Sequence, residues 1–142
     1  MGDVRMLGEA ALEAVAGRVG RWPGVTSHPH LAGGVEFRVG QSGIGHLHAL
    51  AGRECVADLP FPPAEHDALI ASGRAREHGA VPGSGWVSAP VRTPGDVSAV
   101  VELFARTYER AMSARMRPGG PAPVATRVGT RDVTDSPRVG AP

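Results

Sequence analysis

The 142-residue sequence contains no lysine and no asparagine, and all fifteen of its basic residues are arginine. The missing lysine excludes two kinds of site, because Schiff-base chemistry and a phosphate-binding P-loop both require a lysine side chain. Fourteen acidic residues balance the arginines and leave a net charge of +1. With so little excess charge the chain has no general attraction for nucleic acid, so nucleic-acid binding is not expected.

Cysteine and long apolar runs are equally scarce. Cys55 is the single cysteine, so no disulfide can form within the chain. No apolar run approaches the roughly 20 residues that a membrane-spanning helix needs, and the N-terminal residues lack the apolar core of a signal peptide. We therefore expect a cytoplasmic protein without a membrane segment.

The distribution of apolar residues predicts one globular domain at residues 1–116 and a disordered tail at residues 117–142. The total length is that of a single domain. The tail is rich in proline, glycine and arginine and shows no apolar periodicity. Such a segment cannot bury enough apolar surface to offset the entropy that ordering would cost.

Three segments have the apolar spacing or the end signals of helices. Residues 3–19 carry apolar side chains at intervals of four, and Pro62 and Pro63 suit the first turn of a second helix. Thr93 and Pro94 begin a third helix, as N-cap and first helical residue, that extends to Met112 or Arg115. Its apolar stripe consists of Val97, Val100, Val101, Phe104 and Tyr108.

Five segments, the first of them short, have the composition or the alternation of strands: GVTSH, VEFRV, IGHLHAL, ECVADLPF and WVSAPVR. Pro90 places the last of these near the edge of a sheet, because proline cannot donate to a ladder. Strands flanked by helices predict an α+β fold. We expect a single two-layer domain with an antiparallel sheet of four or five strands and helices packed on one face.

Two histidines, His46 and His48, lie one residue apart on the strand IGHLHAL and therefore share a face. With GQSG as the hairpin loop, His46 opposes Phe37 and His48 opposes Val35. The pair would then lie on the apolar face of the sheet. A one-residue slip in register would place it with Glu36 instead.

Three interpretations of this pair stay open: structural histidines, the floor of a ligand pocket, or an acid–base pair. Asp58 on the next strand is the nearest acid with a suitable position, and a carboxylate there would fix an imidazole tautomer. The candidate catalytic residues are therefore His46, His48 and Asp58, and the candidate ligand-binding residues are His78, Ser84 and Trp86. A metal site needs at least three converging ligands, which H-x-H does not supply, so no metal ligand is assigned.

The remaining candidates have simpler interpretations. His28 and His30 flank Pro29 and are expected in a solvated loop, and His66 is expected on the surface. Cys55 on a strand is typical of a small core residue. Trp86 opens a strand after a turn and is expected to be largely buried.

The ordered motifs EFRVGQSGIGHLH, ADLPFP, LIASGRAREH and PGSGWVSAPVRTPGDVSAVVELFARTYER resemble the small luciferase-domain family of actinobacteria and fungi. The similar region extends from about Val35 to Arg110. Its motif residues are His46, His48, Asp58, Pro60, Phe61, His78, Pro82, Ser84, Gly85, Trp86 and Tyr108. The C-terminal part of this region, in which GWVS is followed by a helix and Tyr108, resembles YjbR-type α+β proteins more loosely. That resemblance implies a two-layer fold and a binding role.

The family name implies light emission, but the chain has no dinucleotide fingerprint and is too short for a flavin-dependent barrel enzyme. The sequence predicts a small ligand-binding module whose pocket is floored by His46 and His48. The alternatives are an enzyme that uses the same pocket with Asp58 as orienter, an oxidoreductase by family name alone, or a metal-binding protein. The expected partner is a small molecule, and neither a cofactor nor an oligomeric state follows from the residues.

Overall fold

The computed structural model describes residues 4–49, 54–79 and 83–116. Within them the chain forms three helices and six strands, with a short 3-10 turn at Leu31–Gly33. In chain order these are α1 (Gly8–Val19), β1 (Val25–His30), β2 (Gly34–Val39), β3 (Ser42–Ala49), β4 (Cys55–Pro60), α2 (Pro63–Ala71), β5 (Arg76–Glu77), β6 (Trp86–Val91) and α3 (Pro94–Met116). The predicted tail at residues 117–142 lies outside the described residues.

All six strands belong to one antiparallel sheet in the order β1-β2-β3-β4-β6-β5. Helices α1 and α3 pack against each other and against this sheet. The α+β prediction is therefore confirmed, with one strand more than expected. The additional strand is β5, which the sequence indicated as a loop because two exposed residues are too few to display a strand alternation.

The core lies between the sheet and the two long helices. Phe37 on β2 contacts Phe104 on α3 edge-on, with ring centroids 5.6 Å apart. Fully buried side chains of this kind stabilise the fold by about 1.5–3 kcal/mol each. Further buried core residues are Val15, Val19, Val39, Leu47, Leu59, Val87, Val91 and Val100.

The N-terminus of α3 follows the predicted capping signals. The Thr93 hydroxyl accepts a hydrogen bond from the Asp96 backbone N–H at 3.1 Å, and the Asp96 carboxylate accepts one from the Arg92 N–H at 2.9 Å. These bonds satisfy backbone donors that would otherwise be unpaired at the helix start. The helix has 23 residues. No helix in the described ranges combines the length and the apolarity that crossing a membrane requires.

The hairpin between β2 and β3 differs from the prediction. Val39 pairs with Ser42, so that Gly40 and Gln41 alone form the turn. Gly40 has φ of +62°, a conformation that glycine adopts without the strain other residues incur. The predicted four-residue loop was therefore wrong, and the register of the two strands changes with it.

A bulge next to this turn sets the faces of β3. Arg38 pairs with Gly43 and Phe37 with Gly45, so Ile44 is the extra residue. Gly45 has φ of +145°, and a Cβ atom there would lie 2.6 Å from the Phe104 ring. Packing under Phe104 thus requires glycine at this position.

The predicted pairing of His46 with Phe37 is corrected by this register. His46 pairs with Glu36, and Leu47, not a histidine, pairs with Val35. Because side chains alternate along a strand, His46 and His48 lie on the face of the sheet opposite the buried Leu47. We call this the open face, since α1 and α3 pack on the other one.

Candidate functional site

One row of side chains crosses the open face from edge to edge. Directly opposed residues of paired antiparallel strands share a face, so the pairings place one residue from each strand in the row. In sheet order these are His28, Glu36, His46, Asp58, Ser88 and Arg76. Asp58 on the central strand β4 lies in the middle of the site.

Asp58 is the most enclosed charged group of the site, with 3 % of its side chain exposed. Its Oδ2 atom lies 3.0 Å from Nε2 of His46 and 3.0 Å from Nε2 of His48. Nε2 of His78 approaches the same oxygen at 3.6 Å. The Ser88 hydroxyl donates to the other oxygen, Oδ1, at 2.5 Å. Three imidazoles therefore meet at one carboxylate oxygen.

These contacts keep Asp58 ionised. Burial by itself raises the carboxyl pKa, but hydrogen bonds from His46 and His78, the charge of His46 and the bond from Ser88 hold it well below its ordinary range. An ionised carboxylate only accepts hydrogen bonds. In the protein without bound ligand, Nε2 of His46 and Nε2 of His48 therefore carry the proton.

Two rings pack near the imidazole of His46. The ring of His30 stacks on it with centroids 4.0 Å apart, and the ring of Trp86 lies 5.3 Å away. Burial, followed by the neighbouring His46, lowers the pKa of His30 to about 4. His30 is therefore neutral at physiological pH.

The expectation of a solvated loop at His28 and His30 was wrong, because both lie on β1. Proline between them suggested a break, but β1 is an edge strand, where one side of the backbone needs no ladder partner. The sequence signal that would have identified His30 is the repeated H-x-H spacing, at His28 and again at His46.

Trp86 is of intermediate burial, so its side chain is neither fully enclosed nor fully exposed. It forms a wall of the site, because its ring also meets that of His78 edge-on at 6.4 Å. Ser84 is exposed in the preceding turn, and its hydroxyl accepts the Trp86 backbone N–H at 3.3 Å. The hydroxyl that contacts Asp58 belongs instead to Ser88, which no motif in the sequence singles out.

Cys55 is expected in the core and His66 on the surface. Cys55 is buried, and burial raises the pKa of its thiol to about 12, so the interpretation as a small core residue is confirmed. His66 is buried rather than on the surface. Its Nδ1 lies 2.9 Å from Oδ1 of Asp67, and its Nε2 lies 3.2 Å from Oε1 of Glu77.

The site also brings three possible metal ligands together, which the H-x-H pair alone does not. His46, Asp58 and His78 each offer one ligand atom, and these atoms lie within 4.8 Å of one another. Two donor atoms bound to one tetrahedral zinc ion at 2.0–2.2 Å lie about 3.4 Å apart. The contacts of Asp58 with His46 and His78, at 3.0 and 3.6 Å, bracket this separation.

Residues 41–106 match the family model of the Luciferase domain. The match confirms the family resemblance predicted from the motifs, and it extends from the β2–β3 hairpin into α3. Just under half of the chain is covered, including His46, Asp58 and His78 but not His30. The looser resemblance to YjbR-type proteins is not supported by this match. Searches of the curated proteins and of the solved structures find no significant similarity to this chain.

Several motif residues of the resemblance serve the fold rather than the histidine cluster. The Phe61 backbone N–H donates to the Gly85 carbonyl at 3.0 Å, and Gly85 has φ of +90°. The Tyr108 hydroxyl donates to the Pro23 carbonyl at 2.6 Å. The other group, His46, His48, Asp58, His78 and Trp86, meets on the open face. Pro82 lies outside the described residues.

Proposed function

We propose that this protein binds one divalent first-row transition metal ion through His46, Asp58 and His78, and binds a small molecule beside that ion on the open face. The observation that carries the proposal is the convergence of two imidazole nitrogens and one buried carboxylate oxygen. A carboxylate with 3 % of its side chain exposed is costly unless it is paired. A cation at this point would be a strong partner for it.

The donor set indicates the class of ion. Imidazole nitrogen and carboxylate oxygen suit Zn²⁺ and Fe²⁺ rather than Ca²⁺ or Mg²⁺, which prefer oxygen alone. Three protein ligands leave coordination positions open, which is typical of catalytic rather than structural sites. Two histidines and one carboxylate are also the donor set of non-haem Fe²⁺ oxygenases. An oxidoreductase is therefore the enzymatic form of this proposal that agrees best with the family name.

The surroundings of the three ligands support the same proposal. Ser88 holds the second oxygen of Asp58, and the rings of His30 and Trp86 hold the plane of His46. Groups that orient metal ligands in this way tune affinity as well as geometry. A metal ion here would act as a Lewis acid on the bound molecule.

The small molecule would meet His48 and Trp86 first. His48 has 34 % of its side chain exposed, compared with 15 % for His46, and it reaches Asp58 at 3.0 Å. Trp86 offers a partly exposed ring beside the proposed ion. A hydrogen-bonding imidazole and a flat apolar face suit a polar molecule with a planar portion.

The direct test is a titration of the full chain with Co²⁺, which substitutes for Zn²⁺ and Fe²⁺ and absorbs in the visible range. The protein is prepared without a histidine tag and treated with a chelator beforehand. We expect one Co²⁺ per chain with the intense bands of four or five ligands. No saturable binding by the wild-type protein would contradict the proposal.

Matched variants identify the ligands. His46→Gln, Asp58→Asn and His78→Gln should each abolish the intense bands, because each removes one of three donors. His28→Gln is the control, since His28 lies in the same row of the sheet but contacts Thr26 at 2.8 Å. Binding that is equal in all four variants would show adventitious association and contradict the proposal.

A second candidate function, acid–base catalysis without a metal, rests on His48. Its Nε2–H donates to Asp58, which leaves Nδ1 as a base at a part-exposed position. The test is deuterium exchange into a panel of enolisable ketones and lactones in the presence of a chelator. Acceleration that is lost in His48→Gln would support this function, and identical rates with both proteins would contradict it.

A further inference from the structure

His78, one of the three proposed ligands, follows the shortest strand of the sheet. β5 contains only Arg76 and Glu77, which pair with Ser88 and Val87 of β6. So short a ladder contributes few backbone hydrogen bonds, and two-stranded contacts of this length are weak by themselves. Other contacts must therefore fix the direction in which His78 points.

Alternation along the chain separates the two side chains at the end of β5. Arg76 opposes Ser88 and therefore lies on the open face, as does the next alternate residue, His78, which reaches Asp58. Glu77 opposes the fully buried Val87 and lies on the helix face. Rotation of this segment about its axis would move Glu77 and His78 together, in opposite directions.

Glu77 is held on its side by His66. Nε2 of His66 donates to Oε1 of Glu77 at 3.2 Å, and Nδ1 of the same ring lies 2.9 Å from Asp67. The side chain of His66 is 9 % exposed, so its ring is enclosed and both of its nitrogens have partners. Such a ring is a fixed point on α2 rather than a mobile surface group.

The chain between α2 and β5 is fixed at its beginning as well. The carbonyl of Leu69 accepts hydrogen bonds from the N–H groups of Arg74 and Ala75, at 3.1 and 3.3 Å. Leu69 and Ala75 are both buried. With Ala75 fixed on one side, the contact of Glu77 with His66 restrains the residue that directly precedes His78.

We infer that Glu77 and His66 form a positioning pair that holds His78 toward Asp58. The inference rests on the proposed function, because His78 needs a fixed direction only if it binds the metal ion. The way in which the pair fixes that direction follows from the geometry of β5 and α2. Glu77 does not touch the proposed ion. It acts through the backbone, by fixing the rotation of the segment that carries His78.

The test compares Glu77→Ala with Glu77→Gln in the Co²⁺ titration. Loss of the carboxylate should weaken Co²⁺ binding about tenfold, the lower end of the range for residues that orient metal ligands. The bands should also lose intensity as His78 dissociates. Glutamine still accepts the His66 N–H, so Glu77→Gln should restore the wild-type spectrum and an affinity within about threefold.

Arg74→Ala provides the matched control. Arg74 lies in the same connection but pairs with Glu102 on α3, at 3.0 Å and exposed. Its removal should change neither affinity nor spectrum. A double variant of Glu77 and His66 should be no weaker than Glu77→Ala, because the two residues act as one unit.

The outcomes separate this inference from the proposed function. If the wild type binds Co²⁺ and Glu77→Ala binds it with the same affinity and spectrum, the positioning pair is refuted and the metal site stands. If the wild type binds no Co²⁺, the metal site is refuted. NMR of the histidine rings then tests whether Glu77 and His66 hold His78 in place. A shift of the His78 ring signals in Glu77→Ala but not in Glu77→Gln supports it, and unchanged signals overturn it.

Discussion

His46 and Asp58 oppose each other directly on β3 and β4, and Nε2 of His46 lies 3.0 Å from Oδ2 of Asp58. The pairing of the strands alone brings the two groups onto the same face. Burial makes the contact strong, because a carboxylate in the interior interacts with its donors at a lower effective dielectric constant than in water. The stability of the sheet and the chemistry proposed for the site therefore depend on the same carboxylate.

Asp58→Ala is expected to lower the free energy of unfolding by about 3 kcal/mol, because the buried Ser88 hydroxyl and the part-buried rings of His46 and His48 lose their acceptor. Urea denaturation of the metal-free protein measures the change. Glu36→Ala is the control, since Glu36 lies beside His46 in the row but pairs with the part-exposed Arg38. That pair should contribute less than about 1 kcal/mol. Equal losses in both variants would contradict the central role of Asp58.

Gly45→Ala is expected to destabilise the protein by about 3 kcal/mol or more, because the new Cβ would meet the Phe104 ring at 2.6 Å in a backbone conformation at φ of +145°. Gly17→Ala is the matched substitution in α1, with no atom within 4 Å of the new Cβ. It should stabilise the protein by about 0.5–1 kcal/mol. Thermal unfolding of both variants checks the pair, and a tolerated alanine at Gly45 would refute the packing argument.

Acid should weaken the fold through His30. Its pKa is lowered from 6.5 to about 4 in the folded protein, so the unfolded chain binds the proton at higher pH. The contribution of His30 to stability is therefore complete above pH 6.5 and is lost as the pH decreases toward about 4. The pKa of Asp58 is lowered from 3.8 in the folded protein, so protonation of Asp58 reduces stability further only below that pH.

His30→Gln should make stability less sensitive to pH between 6.5 and about 4. Urea denaturation of the wild type and the variant at several pH values, in the presence of a chelator, measures the difference. Above pH 7 the two curves should run parallel, which serves as the internal control. Identical slopes in the acid range would mean that His30 is not held neutral by burial.

Local signals in the sequence were sufficient to predict the helices and most of the strands. Thr93, Pro94 and Asp96 define the start of α3 without reference to any other part of the chain. The register of β2 and β3 is different, because GQSGIG permits either a two-residue or a four-residue turn. Packing of Gly45 under Phe104 decides between them, and that contact joins residues far apart in sequence.

The site was predictable to a similar extent. Spacing brought His46 and His48 to one face, and strand order placed Asp58 next to them. Ser88 could not be predicted, since its contact with Asp58, 30 positions away in the sequence, depends on the register of β4 and β6. The contribution of His78 depends on β5, which is too short to leave a pattern in the sequence.

Trp86 should report the proposed metal ion, because its ring lies 5.3 Å from that of His46 and 6.4 Å from that of His78. The other tryptophan, Trp22, packs on Tyr108 at 5.1 Å, on α3. In a Trp22→Phe background, Co²⁺ should quench the fluorescence of Trp86 in proportion to the visible bands. In a Trp86→Phe background the same titration should leave the emission of Trp22 almost unchanged.

The two titrations together distinguish a local site from general quenching. A bound paramagnetic ion quenches a ring in contact with its ligands much more strongly than a ring on the other layer of the fold. Asp58→Asn in the Trp22→Phe background should abolish the quenching. Quenching of equal size for Trp22 and Trp86, or quenching that persists in Asp58→Asn, would locate the ion elsewhere and count against His46, Asp58 and His78 as its ligands.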